Sequence, residues 1–202
     1  MRGKCEKIPE GKEMPSSIRS FLAFDIENDT VLNRLATAQK YLIQTRADVK
    51  LVKPQNIHIT VRFLGNIKPA MVEKIFREMK EVHFFPFNVQ IKGLGAFPNP
   101  SYPRIVWAGI TEGADQLKSV FSHLEPRLRD LGFTPDSKGF SPHLTIARVR
   151  SGRNRQQLSR FIGENSSFEF GSVNAKCLRL KKSELTPRGP VYSNLKEFCP
   201  QQ

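Results

Sequence analysis

Two tetrapeptides 85 residues apart share one pattern, His58-Ile59-Thr60-Val61 and His143-Leu144-Thr145-Ile146. Each sits in a run where apolar and polar residues alternate, which marks a half-buried strand. Side chains of a strand point to opposite faces in turn, so residues two apart share a face. Ile57, Ile59, Val61 and Phe63 are therefore expected to face the core, and His58, Thr60 and Arg62 the other side, together with Leu64. In the second copy Leu144 and Ile146 face the core, while His143 and Thr145 face out. The chain has four histidines and eight threonines. At ordinary composition two such patterns among so few histidines arise on the order of once in a thousand chains. Each copy offers an imidazole beside a hydroxyl on a rigid element, a proton-transfer group next to a donor for developing negative charge.

The rest of the chain reads as alternating strands and helices. Ile18 to Ile26 is apolar enough for a buried strand, and Asn28 or Asp29 can cap a helix through about Gln44. That helix has Leu32, Leu35, Ala36, Leu42 and Ile43 as its apolar face. A short strand near Leu51 precedes the first histidine strand, and Pro69 opens a helix with Val72, Ile75, Phe76 and Met79 at core spacing. A strand over 85–91, a Gly/Pro-rich loop over 93–103 and a strand over 104–110 follow. Leu117, Phe121, Leu124, Leu128 and Leu131 form the stripe of a further helix ending before Gly132. The second histidine strand, a basic loop over 150–155, a short helix, and strands over 173–182 and 191–198 complete the chain. The pattern repeats on either side of the 93–103 loop, so each half is expected to supply one histidine strand. The fold class is α+β, a bilobal pseudo-two-fold arrangement of two antiparallel sheets with flanking helices and a central cleft. Residues 1–17 read as a disordered polar tail, and 18–198 as one bilobal domain. No Gly-rich strand-to-helix turn marks a doubly wound nucleotide site.

Composition bounds the partners. The formal net charge of +13 attracts polyanions, nucleic acid first. No apolar run reaches the ~20 residues of a membrane span. Cys5, Cys177 and Cys199 are an odd count without a CxxC, so reduced thiols of a cytoplasmic protein are expected, with no zinc knuckle and no disulfide framework.

Four stretches together resemble the 2H phosphoesterase superfamily, and within it the RNA 2′,3′-cyclic phosphodiesterase (2′-5′ RNA ligase) family. They are Arg19 to Ile26, His58 to Gly65, Ser141 to Arg148 and Leu185 to Tyr192. The resemblance implies an enzyme without metal or other cofactor that opens a ribose 2′,3′-cyclic phosphate to a 2′-phosphate. It carries His58 and His143 over as the acid/base pair, and Thr60 and Thr145 as phosphate-binding residues. It also implies RNA ends or small cyclic nucleotides as partners; no membrane is involved and a monomer is expected. A 2′-5′ RNA ligase using the same site and a non-catalytic RNA or nucleotide-binding module are the alternatives.

The chemistry also follows from the residues. A cyclic phosphodiester needs one base to activate water and one acid to protonate the leaving ribose oxygen. Two imidazoles near pKa ~6.5 can share those tasks. The sequence symmetry does not say which is which; His143 is taken as base and His58 as acid. Arg62 follows the period of His58 and is expected in the cleft. Arg148, a further phosphate-binding candidate, falls on the face opposite His143 unless the strand bulges. Phe140 and Tyr102 are candidates to stack on a base. His83 and His123 are expected to be structural. The stretch 148–190 carries ten Lys/Arg against three Asp/Glu and can follow an RNA backbone.

Overall fold

The alternating segments build nine antiparallel strands and four helices in the computed structural model, counted among the described residues, 17–136 and 139–200. The tail expected over residues 1–17 lies, but for Ser17, outside them. In chain order the elements are β1 (Ile18–Asp25), α1 (Asp29–Gln44), β2 (Val49–Leu51), a 3-10 turn (Pro54–Asn56) and β3 (His58–Ile67). Then come α2 (Met71–Lys80), β4 (Phe87–Phe97), β5 (Ile105–Ile110), α3 (Ala114–Asp130) and β6 (His143–Val149). The last four are α4 (Arg155–Glu164), β7 (Glu169–Ala175), β8 (Leu178–Thr186) and β9 (Gly189–Phe198).

The strand order is β7-β4-β5-β6-β3-β1-β8-β9, with β2 laid against β6. β3 and β6 pair only at Ile59 and Leu144, so the sheet consists of two four-stranded antiparallel halves meeting at one narrow seam. Beyond the seam β3 leaves to follow β1, and β2 takes its place beside β6 through Val49, Lys50 and Leu51. The buried Gln39 amide on α1 donates to the Val52 and Ile146 carbonyls at 2.7 and 2.8 Å. The Ile146 carbonyl also accepts from the Val52 amide at 2.9 Å, so the Gln39 side chain ties α1 to both segments at the seam.

The halves of the sheet are not the halves of the chain. β4 begins in the first half of the chain and runs into the 93–103 segment, yet lies with β5, β6 and β7, while β8 and β9 come last yet lie with β1 and β3. α1 likewise packs on β7 and β6, and α3 on β3. The chain crosses between halves at Lys176 and Cys177, which split the strand expected over 173–182 into β7 and β8. The Gly-rich segment is also strand, not loop, as far as Phe97. A Cβ on Gly95 would lie 2.2 Å from the Trp107 ring, so this glycine makes room for an indole on the next strand.

α1 starts at Asn28, whose side chain accepts from the Val31 amide. Its buried stripe is Val31, Leu35, Ala38, Gln39 and Leu42, whereas Ile43, expected inside, is 54% exposed. No helix among the described residues is long and apolar enough to cross a membrane.

The expectation of reduced thiols fails for two cysteines: Cys177 and Cys199 form a disulfide. They flank the paired residues Leu178 and Phe198, and it is the hairpin register, which a cysteine count does not contain, that brings them together. The bond closes the open end of the β8–β9 hairpin.

Candidate active site

β3 and β6 begin with their histidines, and the antiparallel pair Ile59–Leu144 lies just inside both. Continued one residue each way, that register sets His58 beside Thr145 and Thr60 beside His143, on the face away from the core. Ile59 and Leu144 are fully buried while His58, Thr60, His143 and Thr145 are partly open. The two expected His/Thr pairs therefore share one cleft face.

Both imidazoles are held in the same way. His58 Nδ1 lies 2.8 Å from the Asn56 carbonyl, and His143 Nδ1 lies 2.7 Å from that of Ser141, each two residues upstream. A carbonyl only accepts, so Nδ1 carries the proton in both rings and Nε2 is left for chemistry. Thr60 Oγ1 is 2.8 Å from His58 Nε2.

Their surroundings differ. His58 is enclosed by Phe21 and Tyr192, with ring centroids at 4.8 and 5.3 Å. Burial lowers its pKa to about 4; the Asn56 hydrogen bond opposes this, and Lys181, Asp25 and His143 act more weakly in both directions. His143 packs against Phe97 at 4.9 Å and Trp107 at 6.4 Å. Its pKa is also lowered, by burial first, with the Ser141 carbonyl opposing and the charge of Arg148 adding to the lowering.

Two bulges in β3 re-aim its side chains. The ladder with β1 shifts between Ser20 and Phe21 and again between Leu22 and Ala23. Leu64, expected on the cleft face, is buried, and Phe63, expected in the core, is 59% exposed with its ring 6.1 Å from Phe21. A third bulge, in β6 against β5 between Val106 and Trp107, makes Ile146 and Ala147 consecutive buried residues. It turns Arg148 back onto the face of His143 and Thr145, which strict alternation would forbid. Its charge acts there on both His143 and Tyr192. Lys50 stands directly opposite Arg148 on β2, and like charges so placed repel. This end of the cleft is thus strongly positive.

Three other expected site residues are elsewhere. Arg62 is tied to α3 and the segment after it: it pairs with Glu125 and Asp136 and donates to the Thr134 and Phe63 carbonyls. That half-buried guanidinium is engaged in the fold instead of standing free for a phosphate. Phe140 stacks on Phe121 of α3 at 5.1 Å. Tyr102 is at the tip of the β4–β5 connection, against Arg155.

The sequence reading missed the polar floor beside His58. Asp25 is directly opposite His58 on β1; Lys181 binds both its carboxylate oxygens at 2.6 Å, and Arg179 joins it to Glu27 and Glu197. The signal was present in Leu178-Arg179-Leu180-Lys181, where charges alternate with buried leucines. Tyr192, whose pKa burial raises against the opposing charges of Arg148 and Arg19, was likewise unassigned. Among the described residues one further cluster has donors spaced for a cation, Cys177, Glu197 and Cys199. Its sulfurs are joined and its carboxylate is paired with Arg179.

Over residues 26–107 and 109–192 the sequence matches the LigT-like phosphoesterase family. A protein of Archaeoglobus fulgidus named RNA 2′,3′-cyclic phosphodiesterase is 38% identical over 90% of this chain and 99% of its own. One of the same name from Aeropyrum pernix is 36% identical over 83% of this chain and 95% of its own. The crystal structure of a Thermus thermophilus protein superposes with a TM-score of 0.74 at 25% identity, covering 90% of this chain and 97% of that one. Escherichia coli LigT complexed with 3′-AMP also reaches 0.74, at 19% identity, over 92% of this chain and 99% of its own, a likeness of fold.

Proposed function

The chain belongs to the LigT-like phosphoesterase family, and on that premise we propose that it hydrolyses a terminal RNA 2′,3′-cyclic phosphate to a 2′-phosphate through His58 and His143. The observation that carries this reading is the matched pair of imidazoles, each locked at Nδ1 by the carbonyl two residues before it. Both Nε2 atoms are thereby left for proton transfer across one cleft face. Water attacks phosphorus as His143 Nε2 takes its proton, the bond to the ribose 3′ oxygen breaks, and His58 Nε2–H protonates that oxygen. Thr60 and Thr145 donate to the non-bridging oxygens, and Arg148 balances their charge. Phe63, 59% exposed, offers a ring face to the adjoining base.

Arg148 disfavours an imidazolium at His143, as a base requires, while at His58 the charge of Lys181 outweighs that of Asp25. Burial holds His58 neutral in the free enzyme, but an anionic phosphate against its Nε2 raises its pKa, so substrate itself charges the acid.

The test is incubation with a nucleoside 2′,3′-cyclic phosphate in EDTA, reading the 2′-monophosphate. A substrate whose leaving 3′ atom is sulfur needs no proton. It should restore turnover to His58→Ala and not to His143→Ala; rescue of His143→Ala alone would reverse the assignment. Nucleotide binding without turnover by the unaltered protein would favour a binding module.

A further inference from the structure

The end of β6 away from His143 carries a second surface that the chemistry at the histidines does not use. Ile105 of β5 pairs with Arg148, and the Val149 amide donates to the Arg104 carbonyl at 2.9 Å. The β4–β5 connection thus continues directly from the positive end of the cleft. At its tip Tyr102 is 56% exposed, with the Arg155 guanidinium 4.1 Å over its ring centroid. Beside it lies a groove of about 480 Å³ lined by Ser101, Arg155, Gln156, Ser159 and Arg160.

Among the described residues no carboxylate lines this groove. From Arg148 to Gly163 the chain has five arginines and no acidic residue. Among the described residues none of those five makes an ion pair, in contrast to Arg62, Arg127 and Arg179. Five uncompensated guanidinium groups repel one another unless an anion sits among them. A guanidinium stacked on a tyrosine is also pre-oriented, so less freedom is lost when it grips a phosphate.

We propose that this groove is a second subsite of the same enzyme, taking single-stranded RNA upstream of the reacting end. One base stacks on the open face of Tyr102 while Arg155 and Arg160 neutralise backbone phosphates. Stacking on an aromatic ring is tolerant of sequence because every base has a π-face. The inference rests on the cyclic phosphodiesterase reading and adds that the preferred substrate is an oligonucleotide and not a mononucleotide.

The experiment compares kcat/KM for a nucleoside 2′,3′-cyclic phosphate and for an eight-nucleotide RNA with the same end. The unaltered protein should favour the oligonucleotide about tenfold or more. Tyr102→Ala and the double variant Arg155→Gln/Arg160→Gln should keep the mononucleotide rate and lose most of that advantage. The double variant should also flatten the slope of log K against log salt by about 1.4, at 0.7 per phosphate contact on a single strand. An advantage kept in full by both variants, or absent from the unaltered protein, overturns the proposal. A binding arm separates its failure from that of the hydrolase reading. His58→Ala/His143→Ala protein is titrated with the oligonucleotide, with and without Tyr102→Ala. Weaker binding with Tyr102→Ala supports the subsite even if no substrate is ever turned over; equal binding overturns it.

Discussion

Ile59 of β3 and Leu144 of β6 are the single residue pair at which these two strands ladder, and both are fully buried. Their backbones set the registration of the two histidines, and their side chains fill the core beneath. Leu144→Ala should cost about 2–5 kcal/mol in urea unfolding. It should also lower kcat at temperatures where the variant is still folded, because the seam can relax. An unchanged kcat would mean that the histidines are registered by something else.

Trp107 is the only tryptophan and lies 6.4 Å from the His143 ring. A protonated imidazole quenches indole emission. Fluorescence should therefore fall as pH drops through the His143 transition, with its midpoint below the ordinary 6.5. The step should vanish in His143→Asn and persist in His58→Asn.

His58 titrates at about 4 against an ordinary 6.5, burial being the main cause. Between those values the unfolded chain binds a proton that the folded site refuses. Stability should be level in this respect above 6.5 and decline as pH falls towards 4, by up to about 3 kcal/mol from this residue. Urea midpoints from pH 7 to 4 should show a shallower decline in His58→Asn.

Arg62 and Glu125 are an ion pair with side chains 10% and 15% exposed. Removing Arg62 leaves the largely enclosed Glu125 carboxylate without its cation, so Arg62→Ala should destabilise by about 3 kcal/mol. Activity per folded molecule should change little. Arg62→Ala/Glu125→Ala should lose less than the sum of the single variants, as residues in direct contact do.

The Cys177–Cys199 bond closes a separation of 22 residues. On the chain-entropy account, reduction or Cys177→Ser should cost about 3 kcal/mol. For a chain of this size that is roughly 10 °C in Tm. Thermal unfolding with and without a reductant that leaves activity reagents intact measures it, with Cys5→Ser as the control.

The strands, helices and paired motifs were legible because each depends on local periodicity. Alternation alone puts His58 with Thr60, and His143 with Thr145, on one face of their own strands, and the Asn28 cap and the stripe of α3 are equally local. Arg62 was misjudged because alternation gives the direction of a side chain and not its partner, and Glu125 comes from a helix 63 residues away. Phe63 and Leu64 were misdirected by bulges, and Arg148 reaches the face of His143 only through one; bulges depend on how neighbouring strands twist against one another.

By itself the sequence determined that two strands each carry a His-x-Thr pair and which face of its own strand each pair occupies, since periodicity two is a property of the chain's own backbone. Only the tertiary structure decided that β4 crosses to one half of the sheet and β8 and β9 to the other, that Cys177 meets Cys199, and that Asp25 and Lys181 lie beside His58. Those are choices of partner between distant segments. They are settled by which apolar faces bury one another best, a comparison made only once the whole chain has collapsed.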